Sequence, residues 1–349
     1  MNKLDFSVVV CCYRGESTIK MCLNSLIQQN YSKSKYEIII VNDGSIDNSL
    51  KIIKSVIRNN NDKNLKIKLI DKNNAGLSLA RNSGLNMARG DIIVYIDEDA
   101  VAEKNYLKEI DNAFNKNESI NCVGGAVELL NKDNRFASFL HYSIFNWYMR
   151  SPETVIGTNM AFKKAFLDAL GGFIPEFTRR GDESAFFAKA GKMLKIYITG
   201  KAVVYHLQPY KMISWLKTRR ENGYYSAIIS KLLKKEVSPL IFYIRSFFIF
   251  LHLVLIPILL LISVCAPNIL ILFLSIYILM IVKRYFYSNS ILGPIFLLKN
   301  NKARSNNNIE YLYLPLIIIL GCFYSDYGHI HATINLIGKN YNDYFTDNK

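Results

Sequence analysis

The chain has 349 residues, half of them hydrophobic, enough for one large domain or two modest ones. Its formal charge of +15 is uneven. Lys201, Lys211, Lys217, Arg219, Arg220, Lys231, Lys234, Lys235 and Arg245 face only Glu221 and Glu236 across that stretch. Basic residues just ahead of apolar segments suit an anionic membrane leaflet, at ~1 kcal/mol each. Nothing resembles a zinc finger, a homeodomain or an RNP sequence, which sets nucleic acid aside as a partner. Cys11, Cys12, Cys22, Cys122, Cys265 and Cys322 are scattered, mostly in apolar runs, and read as reduced buried thiols without zinc spacing. Met1 to Asp5 leads directly into a strand, so no signal peptide is expected.

The first hundred residues alternate strand and helix. Phe6–Cys11 is a short apolar strand, and Ser17 is a candidate cap for a helix with Ile19, Cys22, Leu23 and Leu26 on one face. Tyr36–Val41 is a buried strand ending in Asn42-Asp43-Gly44-Ser45. A helix through Leu50, Ile53 and Ile57 follows. Leu65–Ile70 and Ile92–Ile96 supply two more strands, flanking a helix near Leu77–Ala88. Such alternation implies right-handed βαβ units and a mostly parallel sheet, with ligands beyond the strands' carboxyl ends. Further along come a Gly124-Gly125 turn, an aromatic stretch at Phe139–Tyr148 suited to sugar rings or lipid, and a helix ending at Gly171-Gly172. A helix at Ser184–Ala190 and a strand at Ala202–Tyr205 precede His206.

Beyond residue 210 the character changes. A basic helix with Ile213, Leu216, Tyr224, Ile228 and Leu232 reads as interfacial. Phe247–Cys265 is a run of uncharged, mostly apolar residues near the ~20 needed to span a bilayer. Pro257 within it is tolerable in a membrane helix. Ala266-Pro267-Asn268 turns the chain, and Ile269–Val282, extended through Tyr287, completes a helical hairpin. Lys283, Arg284, Lys299, Lys302 and Arg304 place both hairpin ends in the cytoplasm by the positive-inside rule. Residues 311–337 form a re-entrant or interfacial segment, with a third span as the alternative.

The strand Ile92–Ile96 ends in Asp97-Glu98-Asp99. Three acids at one strand tip repel each other and resist desolvation, costs that a cation relieves. Carboxylates two apart in extended chain point the same way, so Asp97 and Asp99 can share one divalent ion while Glu98 points elsewhere. A solvated acidic turn is the plainer reading of the motif in isolation.

Four stretches, read in order, resemble the family 2 glycosyltransferases: Val10-Cys11-Cys12-Tyr13-Arg14-Gly15-Glu16, Glu37 through Asp47, Asn74 through Gly84, and Tyr95 through Asp99. Gly157-Thr158-Asn159-Met160-Ala161-Phe162, Gly171-Gly172-Phe173 and Gly181-Asp182-Glu183 extend the resemblance over roughly residues 5–225. It implies a GT-A fold and inverting transfer from a nucleotide-diphosphate sugar, with a UDP-sugar favoured. Asp99, with Asp97 on the ion or on the donor's ribose, would hold Mg²⁺ or Mn²⁺ to stabilise the leaving diphosphate. His206 is a further candidate near the metal. Asp43 would meet the nucleobase, Tyr13 and Glu16 would complete the base and ribose pocket, and Arg81 would contact the nucleotide or its phosphates.

The family usually carries Glu-Asp where this chain has Asp182-Glu183. By position the base is Glu183, with Asp182 as the alternative and also a candidate N-cap for its helix. Processive synthases carry Gln-x-x-Arg-Trp where this chain has Lys217 through Asn222, so single-sugar addition is expected. Arg219 and Arg220 remain candidates for donor or lipid phosphates.

The expected architecture is therefore α/β. A GT-A, Rossmann-like domain over 1–210 is followed by an interface helix at 211–240, a transmembrane hairpin at 241–287, and a cytoplasmic or interfacial segment at 288–349. The expected setting is the cell membrane, multi-pass, with a cytoplasmic catalytic domain and a lipid-linked or saccharide acceptor. A polyprenyl-phosphate sugar synthase and a membrane-anchored scaffold on the same fold are the alternatives.

Overall fold

The computed structural model describes residues 4–141, 155–208 and 211–232, with 324, 325, 327, 328 and 330–332. The chain divides into two compact units, the first made of residues 1–141 and 148–208. Its strands are β1 (Phe6–Cys12), β2 (Tyr36–Asp43), β3 (Lys66–Lys72), β4 (Ile92–Asp97), β5 (Ala100–Ala102), β6 (Cys122–Leu129), β7 (Asn159–Lys163) and β8 (Ile196–His206). Its helices are α1 (Ile19–Ile27), α2 (Ser49–Asn59), α3 (Leu77–Met87), α4 (Tyr106–Phe114), α5 (Arg135–Leu140), α6 (Lys164–Ala169) and α7 (Asp182–Ala190).

The strands form one sheet in the order β3-β2-β1-β4-β7-β6-β8-β5. The half built from β3, β2, β1 and β4 is parallel throughout, as the βαβ pattern predicts. The other half is mixed. β7 runs antiparallel to both β4 and β6, β6 and β8 are parallel, and β5 returns antiparallel on β8. The sheet is thus less parallel than the sequence suggests, because β7 inserts between β4 and β6 and runs against both.

Every residue of β2 is buried and nearly every one of β1, as expected of central strands covered on both faces. The edge strand β3 is half-exposed and carries Lys66, Lys68 and Lys72, charges that discourage pairing with another chain. α1 buries Ile19, Cys22, Leu23 and Leu26 as its spacing predicts, although Thr18 rather than Ser17 occupies the N-cap. On the opposite face the core is aromatic. Tyr95 and Phe173 meet edge-to-face at 5.3 Å, as do Phe162 and Phe186 at 5.3 Å, while the Phe173 and Phe186 rings lie tilted at 5.1 Å. Such pairs contribute ~0.5–1.5 kcal/mol each beyond area burial.

Gly124 and Gly125 lie inside β6 rather than in a turn. The register against β8 shifts between Gly124 and Ala126. A Cβ on Gly125 would collide with Ala202 O and the Asn159 side chain. The buried Asn159 amide fills this space. Its Nδ2 donates to Ala126 O (2.8 Å) and Ala202 O (3.0 Å), and its Oδ1 accepts from Tyr106 Oη (2.9 Å). One side chain thereby ties β6, β7, β8 and α4 together where β6 breaks register, and β8 continues to His206 beside Leu129.

In the second unit α8 (Met212–Leu232) is continuous. Trp215, Leu216, Tyr225, Ala227 and Ile228 are buried, whereas Ile213, expected on the apolar face, is exposed. Residues of the 324–332 stretch are helical and cross α8 in backbone contact. A Cβ on Gly223 would collide with Ser325 O, and one on Gly328 with Arg220 O. Arg220 lies 5.3 Å from the Tyr327 ring centre. The expected hairpin at 241–287, most of the 311–337 segment and the aromatic residues 142–148 lie outside the described residues. Among the described residues no helix is long and apolar enough to cross a membrane.

Replacing Asn159 with Ala strands two buried carbonyls and the Tyr106 hydroxyl. The expected loss is on the order of 3 kcal/mol in unfolding free energy, read by urea denaturation.

Candidate active site

The candidate residues gather beyond the carboxyl ends of β1, β2 and β4, the place where open α/β sheets bind ligands. Asp43, the last residue of β2, is buried. Its carboxylate accepts from Ala75 N (3.0 Å) and Gly76 N (2.8 Å), and Lys72 Nζ stands 3.6 Å away. A carboxylate has about four lone-pair positions, so capacity remains for a further donor. In the first loop Tyr13 is exposed, and Glu16 accepts from Asn48 N (3.0 Å) and Nδ2 (3.2 Å). Arg14 N donates to Ser45 Oγ (3.1 Å), with Arg14 held at φ 60°, a left-handed conformation uncommon outside glycine. These bonds lace the first loop to the one that follows β2.

The acidic tip is a turn rather than continued strand. β4 stops at Asp97, Glu98 and Asp99 turn, and β5 begins at Ala100. Leu207 N donates to Asp99 O (3.1 Å), and Ala100 pairs with His206. The pairing sets His206 Nε2 at 3.2 Å from Asp99 Oδ1, while His206 Nδ1 meets Gln208 Nε2 at 3.1 Å. Asp97, Asp99 and His206 each offer one ligand atom within 4.8 Å of the others. Glu98 points elsewhere, its side chain packed where Gly15 lacks one.

The set fits a divalent ion. Its two carboxylates and one imidazole are hard-to-borderline donors, and they crowd negative charge in a partly buried place. Burial, opposed in part by Arg81 and reinforced by Asp99, raises the pKa of Asp97. Burial, then Asp99 and Asp97, pushes Glu98 well above the carboxylate range. For His206 burial disfavours the charge, but Asp99 outweighs it and the pKa rises.

Arg81, expected to contact the nucleotide or its phosphates, is buried among protein partners. Nη1 pairs closely with Asp182 Oδ2, and Nη2 donates to Asp97 Oδ1 (3.3 Å) and Gly157 O (3.2 Å). The guanidinium lies 5.8 Å from the Tyr95 ring centre and 5.4 Å from that of Phe173. Burial opposes its charge, but Asp182 and then Asp97 outweigh that and hold it protonated. Bonds along the first half of α3 secure this placement. Leu77 N donates to Thr178 O (2.7 Å), Ser78 Oγ to Phe177 O (2.8 Å), and Asn82 exchanges two 2.8 Å bonds with the Phe173 backbone. Gly76 has φ 94°, and a Cβ there would lie 2.5 Å from Thr178.

Asp182 is not the cap of α7. Gly181, at φ 76°, holds that position, and Asp182 opens the first turn fully buried against Arg81. Its second oxygen, Oδ1, has no N–H or O–H donor of its own. Burial, then the Asp182 charge, pushes the Glu183 pKa up to about 8. Asp182 is therefore the member of the pair held by Arg81, and Glu183 the one whose proton burial favours. The sequence did not single out Gly157 or Gln208 as site neighbours. Gly157 stood in a matched stretch, but no spacing shows that Arg81 and Glu183 close on it.

Because the folded-state pKa of Glu183 is raised, its contribution to stability is complete below the ordinary carboxylate range and is lost as pH rises through about 8. Gln mimics the protonated form. In metal-free protein, Glu183→Gln should match the parent Tm below about pH 4.5, exceed it progressively as pH rises from there to about 8, and hold a constant lead above that; a difference independent of pH throughout contradicts this assignment.

Residues 7–171 match the family model described as glycosyl transferase family 2. A glucosyl-dolichyl phosphate glucuronosyltransferase of Haloferax volcanii is 26% identical over 223 residues, 59% of this chain and 67% of that protein. The poly(ribitol-phosphate) β-N-acetylglucosaminyltransferase TarS of Staphylococcus aureus is 34% identical over 106 residues, 30% of this chain but 18% of its own length. Among solved structures, the mannosyltransferase PcManGT of Pyrobaculum calidifontis, in complex with GDP-Man and Mn²⁺, aligns with a TM-score of 0.55 at 17% identity. That alignment covers 97% of this chain and 89% of that one, and it shows a shared fold. Over residues 7–171 the chain matches the glycosyl transferase family 2 model, in keeping with its mixed α/β sheet and the acids at the ends of β2 and β4.

Proposed function

We propose that the protein is an inverting, non-processive glycosyltransferase. It moves one sugar from a nucleotide-diphosphate donor, with a UDP-sugar first to be tested, to a hydroxyl of a lipid-linked saccharide at the cytoplasmic membrane face. The observation that carries this reading is the meeting of two acidic groups across Arg81. The cation-type cluster Asp97, Asp99 and His206 lies on one side, and Asp182-Glu183 on the other.

On this reading Asp43 accepts a hydrogen bond from the nucleobase, Tyr13 and Glu16 border the base and ribose, and Asp97, Asp99 and His206 hold the ion. Bound there, Mg²⁺ or Mn²⁺ offsets the charge of the departing diphosphate, and the imidazole donor favours Mn²⁺. Glu183 takes the proton of the acceptor hydroxyl. The acceptor oxygen bonds to the anomeric carbon from the face opposite the diphosphate, and the sugar–diphosphate bond breaks with its electrons on the leaving group. Asp182, fixed by Arg81, keeps Glu183 facing the acceptor.

The membrane setting rests on the basic α8, the apolar sequence at 247–265 and 269–287, and the name of the Haloferax relative, which specifies a glucosyl-dolichyl phosphate. A polyprenyl-phosphate sugar synthase would share the donor half of the site and differ in acceptor.

Calorimetry with a panel of nucleotide sugars, with and without Mn²⁺ or Mg²⁺, should find one donor whose binding needs the ion and fails in Asp99→Asn. Glu183→Gln should retain that binding and lose transfer by ~10²-fold or more, as expected for a general base. If no nucleotide sugar binds, the scaffold alternative takes its place.

With membranes as acceptor source, the product should carry a new sugar–sugar bond on lipid, seen by mass spectrometry of the extracted lipid. A lipid monophosphate sugar would assign the synthase reaction instead. The full chain should sediment with membranes through a high-salt wash, and release by salt would reduce the attachment to electrostatics.

A further inference from the structure

Arg81 serves two carboxylate groups that the proposed reaction uses separately. Its two arms differ. Nη1 is in close contact with Asp182, whereas Nη2 reaches Asp97 at 3.3 Å, long for a charge-assisted hydrogen bond, which is typically ~2.7–2.9 Å. The long arm also borders a slot. A Cβ built on Gly157 would lie 3.3 Å from Arg81 Nη2 and 3.4 Å from Glu183 Oε2, so both atoms line one position that no side chain fills. The charged groups bearing on Glu183 are Asp182 on its own helix and Arg81 on α3.

We propose that Arg81 is a positioning residue that couples the two halves of the site. A cation at Asp97 releases the Nη2 arm, and that arm closes across the Gly157 slot onto the Glu183 carboxylate. The inference rests on the metal-dependent transferase reading. In the resting protein burial and the neighbouring Asp182 charge favour a proton on Glu183. As the guanidinium arrives, that proton leaves to water and the carboxylate is left paired with Arg81, able to take the acceptor's proton. Only an O–H bond changes, so no co-reactant is required. The chain thereby keeps its base protonated until the donor side is loaded, which limits misdirected transfer to water.

Calorimetric titration with Mn²⁺ near neutral pH, in two buffers of different ionisation enthalpy, counts the protons released per ion. The parent should release more than Glu183→Gln. That excess should vanish between Arg81→Lys and Arg81→Lys/Glu183→Gln, because one ammonium cannot hold two carboxylates as a fork does. An excess absent from the parent overturns the coupling. So does an excess preserved in the Arg81→Lys background, which would mean that the ion's field alone reaches Glu183. Should Arg81→Lys lose its fold by circular dichroism, Gly157→Ala fills the slot while keeping Arg81 and carries the same comparison. Absence of any Mn²⁺ binding in the parent overturns the metal assignment as well, so the two failures are told apart.

Discussion

A single buried cation organises this site. Taking a guanidinium out of water costs several kcal/mol, recovered only if its donors are met with good geometry. Arg81 meets that condition with Asp182, Asp97 and the Gly157 carbonyl, between the Tyr95 and Phe173 rings. Because a buried carboxylate without a counter-ion is equally costly, Asp182 and Arg81 each make the other tolerable. The first turn of α7 therefore has to lie against α3, and Glu183 comes with it.

The surroundings of α3 act to the same end. The Asp43 carboxylate and the carbonyls of Phe177 and Thr178 take up the N–H groups that open the helix, at an end where the helix dipole favours negative charge. Asn82 fixes the far side of the same segment to Phe173, whose ring covers the guanidinium. A stretch that resembles a nucleotide-contacting motif is, in its own bonding, mainly a clamp between the β2 end and the segment leading to α7. Only the side of Asp43 that faces outward is left for a ligand.

The second acidic group has a different origin. His206 reaches Asp99 because β8 continues past the register break in β6, and Asn159 makes that break tolerable by bonding the carbonyls it exposes. The metal-type cluster thus depends on an amide that touches none of its members. With His206 and Asp99 paired, and Arg81 on Asp97, each acid has an internal partner before any ligand arrives. An incoming ion has to exchange with these partners.

The alternation of apolar strands and amphipathic helices up to residue 97 determined the parallel half of the sheet, because side-chain period and burial are local properties. The acids ending β2 and β4 were legible for the same reason, as was the adjacency of Asp182 and Glu183. The pairing that closes the turn at Glu98-Asp99, the strand that Gly124-Gly125 joins, and Gly181 in place of Asp182 at the cap were not legible. Each is set by a partner distant in sequence: His206, Asn159 and Arg81. Only the tertiary structure decided which acid pairs with Arg81 and which is buried beside that pair. That division follows from the distance of each carboxylate to one guanidinium, a quantity that no spacing along the chain contains.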